Sequence, residues 1–333
     1  MADIDLLVLG ELNADVIVEC GDIRPAFGQV EDLVEDAEIV LGSSGAITAC
    51  GAARLGANVA FAGVVGDDWL GDFVLDRLRE RGVDTTHCVR RPGRRTGMSI
   101  VLSSHGDRSI LTFPGEIGRL AAADVAPQAL AAARHVHVSS YFLQQDLWEG
   151  LPALFRAARE RGATTSVDPN WDPSRSFDRG LPALLPLVDY LLPNEAEAQR
   201  IAATGPGATV EEAAATLAAL GTTVVIKRGA DGALLRSPGG DVRTVTAPVI
   251  TPVETTGAGD SFDAGLLTAL LRGQDLAAAL RLASACGALS TQGRGGTAAQ
   301  PEPGPAADLA KTLTVTEHAP VPAHAGDGRE NHQ

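Results

Sequence analysis

The sequence predicts an α/β fold, with a mainly parallel central sheet flanked by helices on both faces and a small β-sheet lid. Two observations carry this prediction. Short apolar runs of strand length alternate with longer amphipathic segments through most of the 333 residues, which is the pattern of successive βαβ units. Two regions, Ala14–Leu41 and Thr96–Phe113, break that rhythm with short, partly polar strands and no helix between them. They fit no βαβ unit, and a flap lying over the main sheet accommodates them.

Taken in order, the strands are expected at Ile4–Leu9, Val59–Ala62, Val136–Val138, Thr165–Val167, Tyr190–Leu192 and Val224–Ile226. Between them, helices are expected at Ala46–Leu55, Trp69–Arg81, Leu147–Arg161, Glu195–Ala203 and Glu211–Leu220. Two more, near Asp260–Arg272 and Leu276–Thr291, complete the core. One domain is expected over 1–315, with lid segments at about 14–41 and 96–113. The remainder, 316–333, is rich in Pro, Ala, Gly and charge and is expected to be a disordered tail.

Composition narrows the function. Hydrophobic residues make up 45% and charged residues 21%, a globular balance, and no apolar run reaches the length of a membrane helix. With 27 basic against 42 acidic residues the formal net charge is −15, which argues against nucleic acid or an anionic membrane as partner. Cys20, Cys50, Cys88 and Cys286 are widely spaced, so reduced thiols are expected rather than a disulfide framework or zinc site. The acidic start enters a strand at once, as in a cytoplasmic protein.

The most informative segment is Glu254–Thr255–Thr256–Gly257–Ala258–Gly259–Asp260–Ser261–Phe262. A glycine-rich turn here precedes an amphipathic run marked by Phe262, Leu266, Leu267, Leu270 and Leu271, so Asp260 falls near a helix N-terminus. Unpaired N–H groups and the helix dipole make such a terminus an anion hole. A carboxylate beside it would repel a passively bound phosphate. It makes chemical sense if Asp260 takes a proton from a hydroxyl while the hole stabilises a transferring phosphoryl group; the alternative is a simple helix cap.

Other segments carry further signals. Gly10–Glu11–Leu12–Asn13–Ala14–Asp15 follows the first strand, where Asn13 and Asp15 are suited to gripping vicinal hydroxyls or to making a polar turn. Gly42–Ser43–Ser44–Gly45–Ala46 is a small-residue turn that permits close approach of a ligand or simply starts a helix. Asn194 and Glu197 share one helical face, and serve equally as a capping box or as organisers of Mg²⁺ waters. Lys227–Arg228–Gly229–Ala230–Asp231–Gly232 offers cations and a tight turn. His135 and His137 face one side of a strand without an identifiable third metal ligand. No G-x-G-x-x-G follows a strand, and neither a P-loop nor a G-x-S-x-G elbow is present.

In this order the segments resemble the ribokinase/PfkB family of carbohydrate and nucleoside kinases, over about Ile4 to Leu313. The family's D-T-x-G-A-G-D stands here as E-T-T-G-A-G-D at 254–260, its N-x-x-E as Asn194 to Glu197, and its small-residue signature ending in R-L-G as residues 42–56. The resemblance implies a ribokinase-like fold and an ATP-dependent phosphotransferase using Mg²⁺. It makes Asp260 the base, and the backbone N–H groups of Gly257, Ala258 and Gly259 the anion hole. Asn194 and Glu197 would arrange Mg²⁺ and phosphates, while Lys227, Gly229, Gly232 and Ser284 would line the ATP site. Asn13, Asp15, Gly42, Ser43, Ser44, Gly45 and Ile47 would hold the acceptor under the lid. A K⁺ site would draw on Glu254, Thr256, Ser290 and Gly295, and the open lid edges would pair two copies into a homodimer.

Three departures from the family pattern bear on the acceptor and the cation. Ser43 replaces a second glycine, Ile47 replaces an asparagine that touches substrate hydroxyls, and Glu254 replaces an aspartate. The family's sugar-binding glutamate falls near Gln145. These count against ribose, and the expected acceptor is a free sugar or sugar acid. A nucleoside comes next, suggested by Ile47, Tyr141 and Phe142, and a sugar phosphate third, suggested by Arg94 and Arg95. The contrasting expectation is a non-catalytic binding protein of the same fold. Asp260, at a helix N-terminus, is expected to be a weak base.

Overall fold

A computed structural model describes residues 3–104, 107–205 and 207–318. The chain enters through β1 (Ile4–Leu9), then forms β2 (Asn13–Glu19), β3 (Asp36–Leu41), α1 (Ser44–Arg54), β4 (Val59–Ala62), β5 (Val64–Gly66) and α2 (Trp69–Glu80). Next come β6 (Val89–Arg91), β7 (Gly97–Ser104), β8 (Asp107–Phe113), α3 (Pro127–Ala132), β9 (Ala133–Val138), α4 (Leu151–Arg159) and β10 (Thr164–Val167). The third stretch holds α5 (Leu181–Leu184), β11 (Tyr190–Leu191), α6 (Glu195–Ala202), α7 (Val210–Ala218), β12 (Thr223–Lys227), β13 (Ala233–Arg236) and β14 (Val242–Val245). It closes with α8 (Ala258–Leu271), α9 (Leu276–Ser290), α10 (Pro303–Ala310) and β15 (Val315–His318).

The main sheet has the order β15-β14-β13-β12-β11-β10-β9-β1-β4. From β4 to β12 neighbouring strands are parallel, as the helical crossovers require. Alternation then sorts the core. Leu6 and Val8 face the layer of α1, α2, α8 and α9, while Leu7 and Leu9 face the opposite layer. Beyond β12 the sheet turns antiparallel through β13, β14 and β15, a departure from the expected pattern. The chain reverses between β12 and β13 through Gly232 at φ 87°, and β14 then passes so close that a Cβ there would stand 1.8 Å from Val245 O. The positive φ and that close approach both require glycine. Strand β15 reaches His318, so the first residues of the expected tail belong to the sheet; 319–333 lie outside the described residues.

A separate four-stranded sheet, ordered β3-β2-β7-β8, makes the lid from the two regions that broke the βαβ rhythm. Its central pair, β2 and β7, is parallel and joins segments far apart in sequence. The register aligns Asp15 with Ser99, Ile17 with Val101, Ser99 with Thr112, Val101 with Ile110 and Ser103 with Arg108. Asp15, Ile17, Val101, Arg108 and Ile110 therefore share the face turned to the cleft. Ile39 and Leu111, 44% and 62% exposed, lie on the opposite face. Among the described residues no helix is long and apolar enough to cross a membrane.

Candidate active site

Several parallel strands end at one side of the main sheet, and the chemistry-bearing residues follow those ends. Glu11 follows β1, Ser139 and Ser140 follow β9, Asp168 and Asn170 follow β10, Asn194 follows β11, and Lys227 closes β12. Carboxyl ends of parallel strands are where open α/β sheets bind ligands. A cleft of about 690 Å³ opens there, between the main sheet, the lid and the start of α8.

Most of the expected site residues meet in this cleft. Asp15, Ser43, Ser44, Ile47, Asn194, Glu197, Lys227, Gly229, Gly232, Glu254, Thr256, Gly257, Ala258, Gly259, Asp260 and Ser284 all line it. Others support it from behind. Asn13 is 6% exposed and donates through Nδ2 to Asp15 Oδ1 at 2.8 Å. Gly42 lies against that pair, and Gly45 packs inside α1 against Ser139 and Phe61. Ser290 donates to the Gly287 carbonyl at 2.8 Å, and the Gly295 N–H donates to Glu254 Oε2 at 2.8 Å.

The turn before α8 has the geometry its glycines suggest. Gly257 is the N-cap at φ 74°, and a Cβ there would lie 2.6 Å from Gly296 Cα and 3.1 Å from Ile47 Cγ2. Ile47 thus forms an apolar wall directly behind the turn. The Ala258 N–H reaches back to the Thr255 carbonyl at 3.3 Å. The remaining first-turn N–H groups are those that helix geometry leaves without a partner inside the helix.

Asp260 occupies the third position of α8. Its surface is half-buried because it faces the cleft, yet protein surrounds it closely. Burial first, and the charge of Asp168 next, push its carboxyl up to about 8, against the pull of Lys227. This corrects the expectation of a weak base: desolvation outweighs the helix terminus.

Lys227 also departs from expectation. Its Nζ lies 2.7 Å from Asp168 Oδ2 and 3.0 Å from Asp263 Oδ2, just beneath Gly259, rather than standing open to phosphates. Burial works to lower the lysine, but Asp168, Asp263 and Glu197 overcome it and hold the ammonium charged. The two aspartates divide the opposite charge unequally. Burial would raise Asp168, but Lys227 and the Asp263 hydrogen bond hold it below the usual range. Asp263, fully buried, is raised well above that range. Of the two, Asp168 is therefore the stronger acid.

Asn194 and Glu197 form the capping box that their spacing allows. Asn194 Oδ1 accepts the Glu197 N–H at 2.9 Å, and Glu197 Oε2 accepts the Asn194 N–H at 2.9 Å, completing a capping box on the cleft wall. Burial, then Asp168, lifts Glu197 to about 7. Asp15 is lifted to about 6, chiefly by burial.

Sequence reasoning missed an inner layer. Glu11, 4% exposed, accepts the Ser44 N–H at 2.9 Å, the Ser140 hydroxyl at 3.0 Å and Gln144 Nε2 at 3.1 Å. Asn170, held at φ 54°, donates to Ser140 Oγ at 2.9 Å and lines the cleft. Gln144, not the exposed Gln145, is the glutamine turned inward. Asp168–Pro169–Asn170 directly after a strand was the available signal. Arg108 was also missed; it lines the cleft from the lid and donates to Thr256 Oγ1 at 2.6 Å.

Other candidates lie elsewhere. Tyr141 and Phe142 are 2% exposed and packed in the core. Arg94 pairs with Glu116 at 2.8 Å, and Arg95 stacks 4.6 Å above Phe113. His135 and His137 both bond Ser166 Oγ at 2.7 Å, and burial lowers them to about 3 and about 4, so they are neutral. Among the described residues no cluster of three His, Cys, Asp or Glu side chains is arranged to hold a metal.

Comparison with known proteins agrees with this architecture. The ribokinase of Bacillus subtilis (strain 168) is 32% identical over 289 residues, 86% of this chain and 92% of that protein. The fructokinase of Klebsiella pneumoniae is 32% identical over 291 residues, 82% of this chain and 94% of that protein. A solved structure of a Ribokinase II candidate from E.coli, in complex with ATP and Mg²⁺, superposes with a TM-score of 0.80 at 25% identity, covering 93% of this chain and 99% of that one. The sequence pattern of the pfkB family carbohydrate kinase matches residues 3–303, and the chain belongs to that family of carbohydrate kinases.

Proposed function

We propose that the protein transfers the γ-phosphoryl group of ATP to a hydroxyl of a small sugar or sugar acid. Asp260 is the base, and the backbone of 257–259 is the anion hole. The observation that carries this reading is the placement of Asp260. It stands one turn into α8, beside that backbone, with its carboxyl lifted to about 8. A base whose affinity for protons lies near working pH is the form that general-base catalysis favours. The acceptor proton passes to Asp260 as its oxygen bonds to phosphorus. The bond to the β-phosphate oxygen breaks, and ADP leaves with that electron pair.

The two ends of the cleft suit the two substrates. Gly229, Gly232, Ala247, Pro248, Ser284 and Ala288 offer a small-residue, half-apolar seat for a nucleoside moiety. Asp15, Ser44 and Asn170 offer hydroxyl-gripping groups for the acceptor. Asp168 and Glu197 supply hard oxygen donors that fit Mg²⁺ held largely through its waters, as Asn194 and Glu197 were expected to arrange. Bound there, the ion would neutralise phosphate charge. The E.coli structure in complex with ATP and Mg²⁺ supports the nucleotide and the ion. Relatives named ribokinase, fructokinase and 2-dehydro-3-deoxygluconokinase support free sugars and a sugar acid as acceptors.

A nucleoside is the second reading, favoured by the apolar wall of Ile17, Ile47, Val101 and Ile110. A sugar phosphate has less support, since Arg94 and Arg95 are engaged at Glu116 and Phe113. The side-chain oxygens of the K⁺ set are engaged too: Glu254 accepts from Thr256 and Gly295, and Ser290 donates to Gly287. Turnover is therefore expected to survive replacement of K⁺ by Na⁺. Self-association through Ile39 and Leu111 on the outer lid face is expected in sedimentation.

ADP release measured across sugars, sugar acids and nucleosides tests the proposal. Turnover on a sugar or sugar acid that Asp260→Asn abolishes is the expected result. Tight ligand binding without ADP release on any acceptor favours a non-catalytic binder and overturns it.

A further inference from the structure

Glu11 is a buried carboxylate behind the cleft wall, and its contacts converge on one residue in front of it. Its Oε1 accepts the backbone N–H of Ser44 at 2.9 Å and the Ser140 hydroxyl at 3.0 Å, while Oε2 accepts Gln144 Nε2 at 3.1 Å. Ser140, fully buried, gives its single proton to Glu11 and so receives from its other neighbour. That neighbour is Asn170, whose Nδ2 lies 2.9 Å from Ser140 Oγ and 3.4 Å from Ser44 Oγ. Asn170 Oδ1 accepts the Trp171 N–H at 2.7 Å, which fixes the amide with its nitrogen toward the two serines. Ser44 Oγ thus has a donor on one side and its own proton left for the other. Burial raises the Asp260 carboxyl, and a hydrogen bond from the Ser44 side chain works against that rise. Ser44, Asn170 and Asp260 line the cleft, whereas Glu11 and Ser140 are buried behind it.

We infer that Glu11 is a positioning residue for the base: it holds Ser44 by the backbone and, through Ser140 and Asn170, by the hydroxyl, so that this hydroxyl engages one oxygen of Asp260 and leaves the other to the acceptor. The inference rests on the kinase reading above. Glu11 touches neither substrate and moves no proton. Proton transfer to Asp260 needs a carboxylate oxygen within hydrogen-bond reach of the acceptor hydroxyl, and a carboxylate free to rotate presents one only part of the time. Tying one oxygen to Ser44 removes that freedom before the acceptor arrives. A helix cap alone would need only the Ser44 N–H. The bonds through Ser140 and Asn170 go further, to the side chain that meets the base.

The test measures ADP release, on an acceptor that wild type turns over, for Ser140→Ala, Glu11→Met, Glu11→Gln, Ser44→Ala and the double variant Ser44→Ala/Ser140→Ala. Ser140→Ala should lower kcat between about tenfold and a hundredfold, while KM for ATP and for acceptor each move less than about threefold. Glu11→Met should lose at least as much. Glu11→Gln should return kcat to within about threefold of wild type, because its amide oxygen replaces Oε1 toward both serines. Its NH₂ then meets Gln144 Oε1, which is buried with no partner among the described residues, once that amide turns. Ser44→Ala should match Ser140→Ala, and the double variant should be no slower than Ser44→Ala, since one residue acts through the other. Should Glu11→Met fail to fold, Ser140→Ala, which loses one oxygen, and the double variant decide the matter. A Ser140→Ala kcat within about threefold of wild type, a raised acceptor KM at normal kcat, a Glu11→Gln enzyme as slow as Ser140→Ala, or losses that multiply in the double variant overturns the inference and leaves the kinase reading intact. Absence of ADP release by wild type on every sugar, sugar acid and nucleoside overturns the kinase reading, and the inference with it.

Discussion

The pH dependence of turnover follows from the surroundings of Asp260. Burial and the neighbouring Asp168 charge raise its carboxyl to about 8 against the opposing Lys227. At that value about one molecule in a hundred holds the ionised base at pH 6, about one in ten at pH 7, and about nine in ten at pH 9. If the ionised form is the working base, kcat/KM climbs about ninetyfold from pH 6 to pH 9 and levels off above about 8. ADP release at limiting acceptor, across that range, measures it directly. Asp15 at about 6 and Glu197 at about 7 titrate in the same window and need separating. Asp15→Asn and Glu197→Gln should keep the midpoint near 8, whereas Asp260→Asn should lose the activity and the limb together. A limb centred below about pH 5, or one that persists in Asp260→Asn, refutes the reasoning.

Other outcomes can be read by unfolding measurements. Because the folded-state value of Asp260 is raised, its stabilising contribution is full below its ordinary range and is lost as pH climbs through about 8. Asp260→Asn should therefore flatten the fall in stability between about pH 4 and pH 8, as followed by urea midpoints. Ser43 sits at φ 72°, donates to the Glu11 carbonyl at 2.5 Å and caps α1 at the Ala46 N–H. Ser43→Ala should cost about 1–2 kcal/mol in urea unfolding, and Ser43→Gly about 1 kcal/mol less because it relieves the backbone. Asp263 is the weaker acid of the pair beside Lys227, so Asp263→Asn should cost less than Asp168→Asn. Asp168→Asn strands the Lys227 charge and should cost about 3–5 kcal/mol in the same assay.

How far the sequence spoke differs between the two ends of the cleft. The β1, β4 and α2 segments were legible almost to the residue, because period-2 and period-3.6 patterns are strong where one face is buried. The turn before α8 was legible because helix termini and glycine turns are local features. The antiparallel edge β13–β15 was not, since short strands without helices between them carry little periodicity. The lid side of the cleft was read only in part. Asp15 and Ser44 were expected at the cleft and line it, but Glu11, Gln144 and Asn170 gather around Ser140 only when β1, β9 and β10 are brought together, and Arg108 reaches Thr256 only through the lid. The direction of the Asp260 shift was misread for the same reason. A helix terminus is visible locally, whereas burial and the Asp168 charge come from another strand.

The parallel pairing of β2 with β7 has a mechanical consequence. The lid is woven from two chain excursions, each leaving the main body and returning to it, so it hangs on paired tethers and cannot swing as a freely linked arm. One tether is Asn13 with Gly42 and Ser43, where the Gly42 N–H bonds the Asn13 carbonyl at 3.1 Å; Asp15 and Ser44 stand next to it. Any lift of the lid must therefore carry the Asp15 side of the cleft with it. The α8 terminus and the Lys227 cluster stay bolted to the main sheet. The cleft is then half fixture and half jaw: the wall carried by α8 and β12 belongs to the main body, and the wall carried by β2 and β7 belongs to the lid.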